Sequence, residues 1–104
     1  MQATEVMGEI RPRLTTAFGR RLRGVIFYGS RARGNAAPDS DLDLMVLLEG
    51  PVRLGRDLDA IVHALQPLQM ELDCAIHTMP VDIRDFEAQQ FGIYRKVQEE
   101  GVRL

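Results

Sequence analysis

Two short apolar runs with a turn-rich stretch between them constrain this chain more than anything else in it. The first, Val25-Ile-Phe-Tyr28, stops abruptly at Gly29-Ser30. After ten intervening residues, Asp41-Leu42-Asp43 opens a second run that continues to Leu48. Both runs are too short for a stable helix and rich in β-branched and aromatic residues, so strands are expected over 22–28 and 41–48. The second is nearly continuously apolar, which predicts burial on both faces. Side chains alternate faces along a strand, so Asp41 and Asp43 point the same way. Two carboxylates side by side repel, and a cation between them relieves that cost.

The flanking segments read as helices. Over 3–19, Val6, Ile10, Leu14 and Phe18 recur every four residues, widened by Met7 and Ala17. Thr4 is an expected N-cap and Gly19 an expected stop. Pro12 removes a helix hydrogen bond, so a kink or a start near Pro12 is expected. Arg20, Arg21 and Arg23 read as a solvated helix end. A short helix is expected over 30–33, then a loop over 35–40. Leu54, Leu58, Ile61, Val62 and Leu65 give a helix over 56–65, closed by Pro67. Alternation predicts a third strand over 70–77, broken at Pro80, with Leu72, Cys74 and Ile76 on one face and Glu71, Asp73, Ala75 and His77 on the other. Helical segments over 82–90 and 91–100 complete the order. Such an order implies one α/β (α+β) domain over 1–104, a small mixed sheet flanked by helices.

Composition narrows the function classes. A chain of 104 residues supports one modest core. No apolar stretch is long enough to span a membrane and 1–13 lacks a secretory core, so a cytoplasmic protein is expected. The net charge of −2 makes no general case for nucleic-acid binding. The basic residues are twelve Arg and one Lys, Lys96, a choice suited to phosphate or carboxylate recognition. The single Cys74 forms no internal disulfide, and with His77 it makes no metal site for want of a second Cys/His pair. His63, on a helix between apolar residues, reads as structural.

Asp73 stands inside an otherwise apolar strand, where a charge costs several kcal/mol unless paired or metal-bound, roughly. Glu71 is the competing carboxylate on that face, and a salt bridge to an arginine is the structural alternative. Gly29 lets a backbone approach a phosphate, and Ser30 offers a hydroxyl and an amide at a helix start.

Gly29-Ser30 followed by Asp41-x-Asp43, within the fuller text Tyr-Gly-Ser-Arg-Ala-Arg-Gly…Ser-Asp-Leu-Asp-Leu, resembles the signature of the DNA polymerase β-like nucleotidyltransferase superfamily. The likeness runs from about residue 22 to 76 and is greatest to the minimal nucleotidyltransferase (MNT) proteins, often antitoxins paired with HEPN-domain ribonucleases. It implies the nucleotidyltransferase fold, with Asp41, Asp43 and Asp73 as catalytic residues and as ligands of two Mg²⁺ ions. It also implies that Gly29, Ser30 and Arg33 bind the phosphates of ATP. The function implied is transfer of AMP to a tyrosine hydroxyl of a HEPN-type toxin, by which the protein acts as antitoxin. Two alternatives stand beside it: neutralisation of the toxin by binding alone, and transfer to a small-molecule acceptor. Phe86, Phe91, Ile93, Tyr94 and Val97 exceed what one helix face can bury, so an apolar surface for the toxin or a second copy is expected, unless a bend near Gly92 splits the segment.

Overall fold

The computed structural model describes residues 3–29 and 41–104, with side chains from Glu5 onward. Helix α1 (Ala3–Phe18) leads through a 3-10 turn (Gly19–Arg21) into strand β1 (Leu22–Tyr28). Strand β2 (Leu42–Leu48), helix α2 (Leu54–Gln69), strand β3 (Ile76–Asp82), helices α3 (Ile83–Glu87) and α4 (Gly92–Glu100) and a two-residue strand β4 (Val102–Arg103) follow. The sheet order is β3-β2-β1-β4. Strand β2 runs antiparallel to β1 and parallel to β3, and β4 runs antiparallel to β1. This is the small mixed sheet flanked by helices that the element order implies.

Central β2 explains the two layers. Its even-numbered residues Leu44, Val46 and Leu48 pack with Val6, Ile10 and Leu14 of α1 and Ile61, Leu65 and Leu68 of α2. Met45 and Leu47 face the other way, onto Ile26, Val81, Phe86 of α3 and Val97 of α4. A strand with helices on both faces has no wet side, hence its apolar run.

Several expectations are corrected. Helix α1 runs from Ala3 through Pro12 without a break. Gly19, at φ +57, ends it as expected. Helix α2 likewise passes Pro67 and continues to Gln69. The next residues are then spent on a turn, with Glu71 N–H donating to the Leu68 carbonyl (3.0 Å) and Leu72 N–H to that of Gln69 (3.2 Å). The third strand therefore starts at Ile76, not residue 70, and contains Pro80 instead of stopping there. The reason lies in the pairing. The Ala75 carbonyl accepts from Leu42 N–H (2.9 Å), so Ala75 and the odd-numbered residues after it point their backbone groups at β2. Pro80, of opposite parity, needs no N–H on the outer edge. Along that edge, the Gln69 side chain donates to the Cys74 carbonyl (2.8 Å) and accepts from Ile76 N–H (2.7 Å).

The segment after β3 is split. Gln89, at φ +53, separates α3 from α4. Phe86 and Val97 are buried, while Phe91 and Ile93 remain 59% and 47% exposed. The Tyr94 ring lies between those of Phe86 (6.0 Å) and Phe91 (5.4 Å). Both expectations for this segment thus hold in part: it bends, and some apolar surface stays outside. Strand β4 was not foreseen. At Gly101 a Cβ would run into Ile26 and the Val97 carbonyl, so only glycine lets the chain turn so closely from α4 back onto β1.

Arg21 is no solvated helix end. Its guanidinium grips Asp57, buried in α2, through Nη1–Oδ1 and Nη2–Oδ2 contacts of 3.0 Å each. It also donates to the carbonyls of Glu49 (3.1 Å) and Pro51 (3.2 Å). One side chain thereby ties the start of β1 to the exit of β2 and the first turn of α2.

Candidate active site

Antiparallel pairing brings the end of β1 against the start of β2, with Tyr28 opposite Asp43. Gly29 follows at φ +86, a conformation that favours glycine. A Cβ at Gly29 would overlap the Asp43 carboxylate. The backbone therefore favours glycine there, and the missing Cβ leaves room for the carboxylate to sit against it. The two halves of the motif are in contact.

Parallel pairing brings the start of β3 to the same end, with His77 opposite Asp43. His77 Nε2 hydrogen-bonds Asp41 Oδ2 at 2.8 Å, and Ala75 N–H donates to Asp41 Oδ1 at 3.4 Å. Asp43 shares its side of the sheet with Met45 and Leu47, so the carboxylates lie toward α3 and α4. Helix α4 supplies the adjoining wall. A cavity of about 200 Å³ is lined by Tyr28, Gly29, Ile93, Lys96, Val97 and Glu100. Burial pushes the Tyr28 hydroxyl above its usual range, and the Asp43 charge adds to the shift.

Asp73 lies in the turn before β3 and is exposed. The cost of a charge inside an apolar strand, which singled it out, does not arise. It is two residues from Ala75, whose amide reaches Asp41, so it belongs to the same end of the sheet. Glu71 is in the turn as well. Ser30 and Arg33 lie outside the described residues, as do Arg31, Ser40, the expected helix over 30–33 and the loop over 35–40.

Asp41 and Asp43 suit Mg²⁺, a hard cation commonly held by one or two carboxylates plus substrate phosphates. Among the described residues no group of three or more His, Cys, Asp or Glu could hold a metal ion. Two site residues escaped the sequence reading. His77 was weighed only as a partner for Cys74, whereas its strand register makes it a neighbour of Asp41 and Asp43. Lys96 gave one signal, its being the only lysine, but nothing in the sequence places α4 over Gly29.

No helix among the described residues is long and apolar enough to cross a membrane. No match was found among curated proteins. A family model described as the nucleotidyltransferase domain matches residues 8–103. That span takes in both halves of the motif, every described strand and the helix that walls the cavity, and the chain belongs to the nucleotidyltransferase domain family.

Proposed function

We propose that the protein transfers AMP from ATP to a hydroxyl on a partner protein, a tyrosine of a HEPN-type toxin, and so acts as its antitoxin. The observation that carries the reading is the contact of Gly29 with the Asp43 carboxylate, which sets a stretch of backbone without a side chain beside a pair of acidic groups. In the reaction the acceptor oxygen forms a bond to the α-phosphorus of ATP. The bond from that phosphorus to the bridging oxygen breaks, and pyrophosphate leaves. Asp73, on the exposed turn at the same end, is the proposed acceptor of the hydroxyl proton, with Glu71 second. Asp41 and Asp43 would hold Mg²⁺, which when bound neutralises charge on the phosphate oxygens. One feature favours a protein acceptor. Phe91 and Ile93 leave apolar surface exposed near the cavity that Ile93 lines.

The test is incubation with ATP labelled on its α-phosphate, with and without the product of the neighbouring gene. Label on a tyrosine of that product is expected. Neutralisation without label would favour binding alone, and label on a metabolite would favour a small-molecule acceptor.

His77 holds Asp41 from one side, so His77→Ala should slow transfer by roughly 10- to 100-fold, the usual effect of removing a group that orients a ligand. Because His77 is exposed, the melting temperature should hardly move. An unchanged initial rate would show that the Asp41 contact does not matter to transfer.

A further inference from the structure

We infer that α4 is the second wall of the triphosphate site, and that the Lys96 ammonium binds the phosphate chain of the nucleotide where it passes Gly29. The inference rests on the nucleotidyl-transfer reading and deepens it. Ile93, Lys96, Val97 and Glu100 are spaced to share one face of α4, and all four line the cavity that has Gly29 in its wall. The same glycine abuts the Asp43 carboxylate, so the cavity and the carboxylates meet at Gly29. Val97 belongs to the core, and among the described residues Lys96 is the one cationic group of this lining. Among the described residues Lys96 has no ion-pair partner, whereas Glu100, a turn further on, is engaged in an interaction of its own. An ammonium on a flexible stem is a compact charge with three donors, suited to a phosphate chain.

The helix that carries Lys96 is held firmly. Gly101 N–H donates to the Val97 carbonyl at 2.8 Å, and β4 pairs Val102 with Phe27 and Arg103 with Ile26. Helix α4 is thus stapled over the end of β1. A cation on such an element meets its ligand with little reordering.

The experiment measures binding of ATP, inorganic triphosphate and adenosine, each with Mg²⁺, by calorimetry on the wild-type protein and on Lys96→Ala and Lys96→Arg. Lys96→Ala should weaken ATP and inorganic triphosphate alike, by roughly tenfold, the scale of one charge-assisted hydrogen bond. Adenosine binding should be unchanged, and Lys96→Arg should recover most of the loss. Circular dichroism confirms that the variants are folded. If Lys96→Ala binds ATP as the wild type does, the inference is overturned and the nucleotidyl-transfer reading stands. Loss with ATP but not with inorganic triphosphate would also overturn it, since Lys96 would then serve the nucleoside. A wild-type protein that binds neither phosphate probe would overturn both readings.

Discussion

Asp43→Asn should lower nucleotidyl transfer by about a thousandfold or more and leave the fold intact. The change removes one negative charge from the carboxylate pair but keeps the shape that packs against Gly29 and Tyr28. A metal held on phosphate oxygens supplies several kcal/mol of charge stabilisation, and about 4 kcal/mol corresponds to a factor of roughly a thousand. Stability should not fall, because the lost charge has a like neighbour in Asp41 on the same side of the strand. Single-turnover transfer with Mg²⁺ and ATP measures the first effect, and thermal unfolding the second. Transfer within tenfold of wild type would remove Asp43 from the chemistry. An unfolded variant would mean instead that the carboxylate holds the end of the sheet together.

Asp57→Ala should cost about 3–5 kcal/mol of folding free energy, the scale for breaking a buried ion pair from one side. Asp57 is 1% exposed, and among the described residues the Arg21 guanidinium left behind would keep the carbonyls of Glu49 and Pro51 and the face of Phe18. Against a typical total of about 5–15 kcal/mol, that loss is large. The same pair predicts a dependence on pH. Hydrogen bonding to Arg21, with the Arg53 amide and the guanidinium charge adding, lowers the Asp57 pKa from 3.8 to about 2. A lowered pKa means the fold favours the ionised form. Its contribution, about 2 kcal/mol, is complete above pH 4 or so and is lost as the pH falls toward 2. Urea unfolding between pH 2 and 5 should therefore show wild type and Asp57→Ala converging in acid. Parallel curves across that range would show that Asp57 does not set the acid limit.

Legibility followed the range of the interactions. Strand 22–28 coincides with β1, and β2 begins one residue inside its expected start, because a β-branched run closed by turn residues states its own limits. The motif put Gly29 and Asp43 in one expected site, but neither their contact nor the left-handed glycine was read from the sequence. The third strand was misplaced because periodicity cannot weigh a partner. Residues 70–77 alternate as well as 76–82 do, and only pairing with β2 shows that the Pro80 nitrogen lies on the outer edge. Arg21 looked like its neighbours Arg20 and Arg23, since its partner stands 36 residues away. Asp73 was singled out for burial that the turn does not impose, while His77 lay hidden in the register of β3.

The outer edge of β3 bears on how any partner can attach. An open strand invites a second chain to extend the sheet by main-chain hydrogen bonding. Here the Gln69 amide already occupies the Cys74 carbonyl and the Ile76 amide, as a neighbouring peptide would, and Pro80 has no donor to give. The opposite edge is a strand of only two residues. Among the described residues neither edge presents a long uninterrupted ladder for β-augmentation. Recognition is left to side-chain surfaces, whose specificity can change by substitution while the backbone frame that carries the aspartates stays as it is.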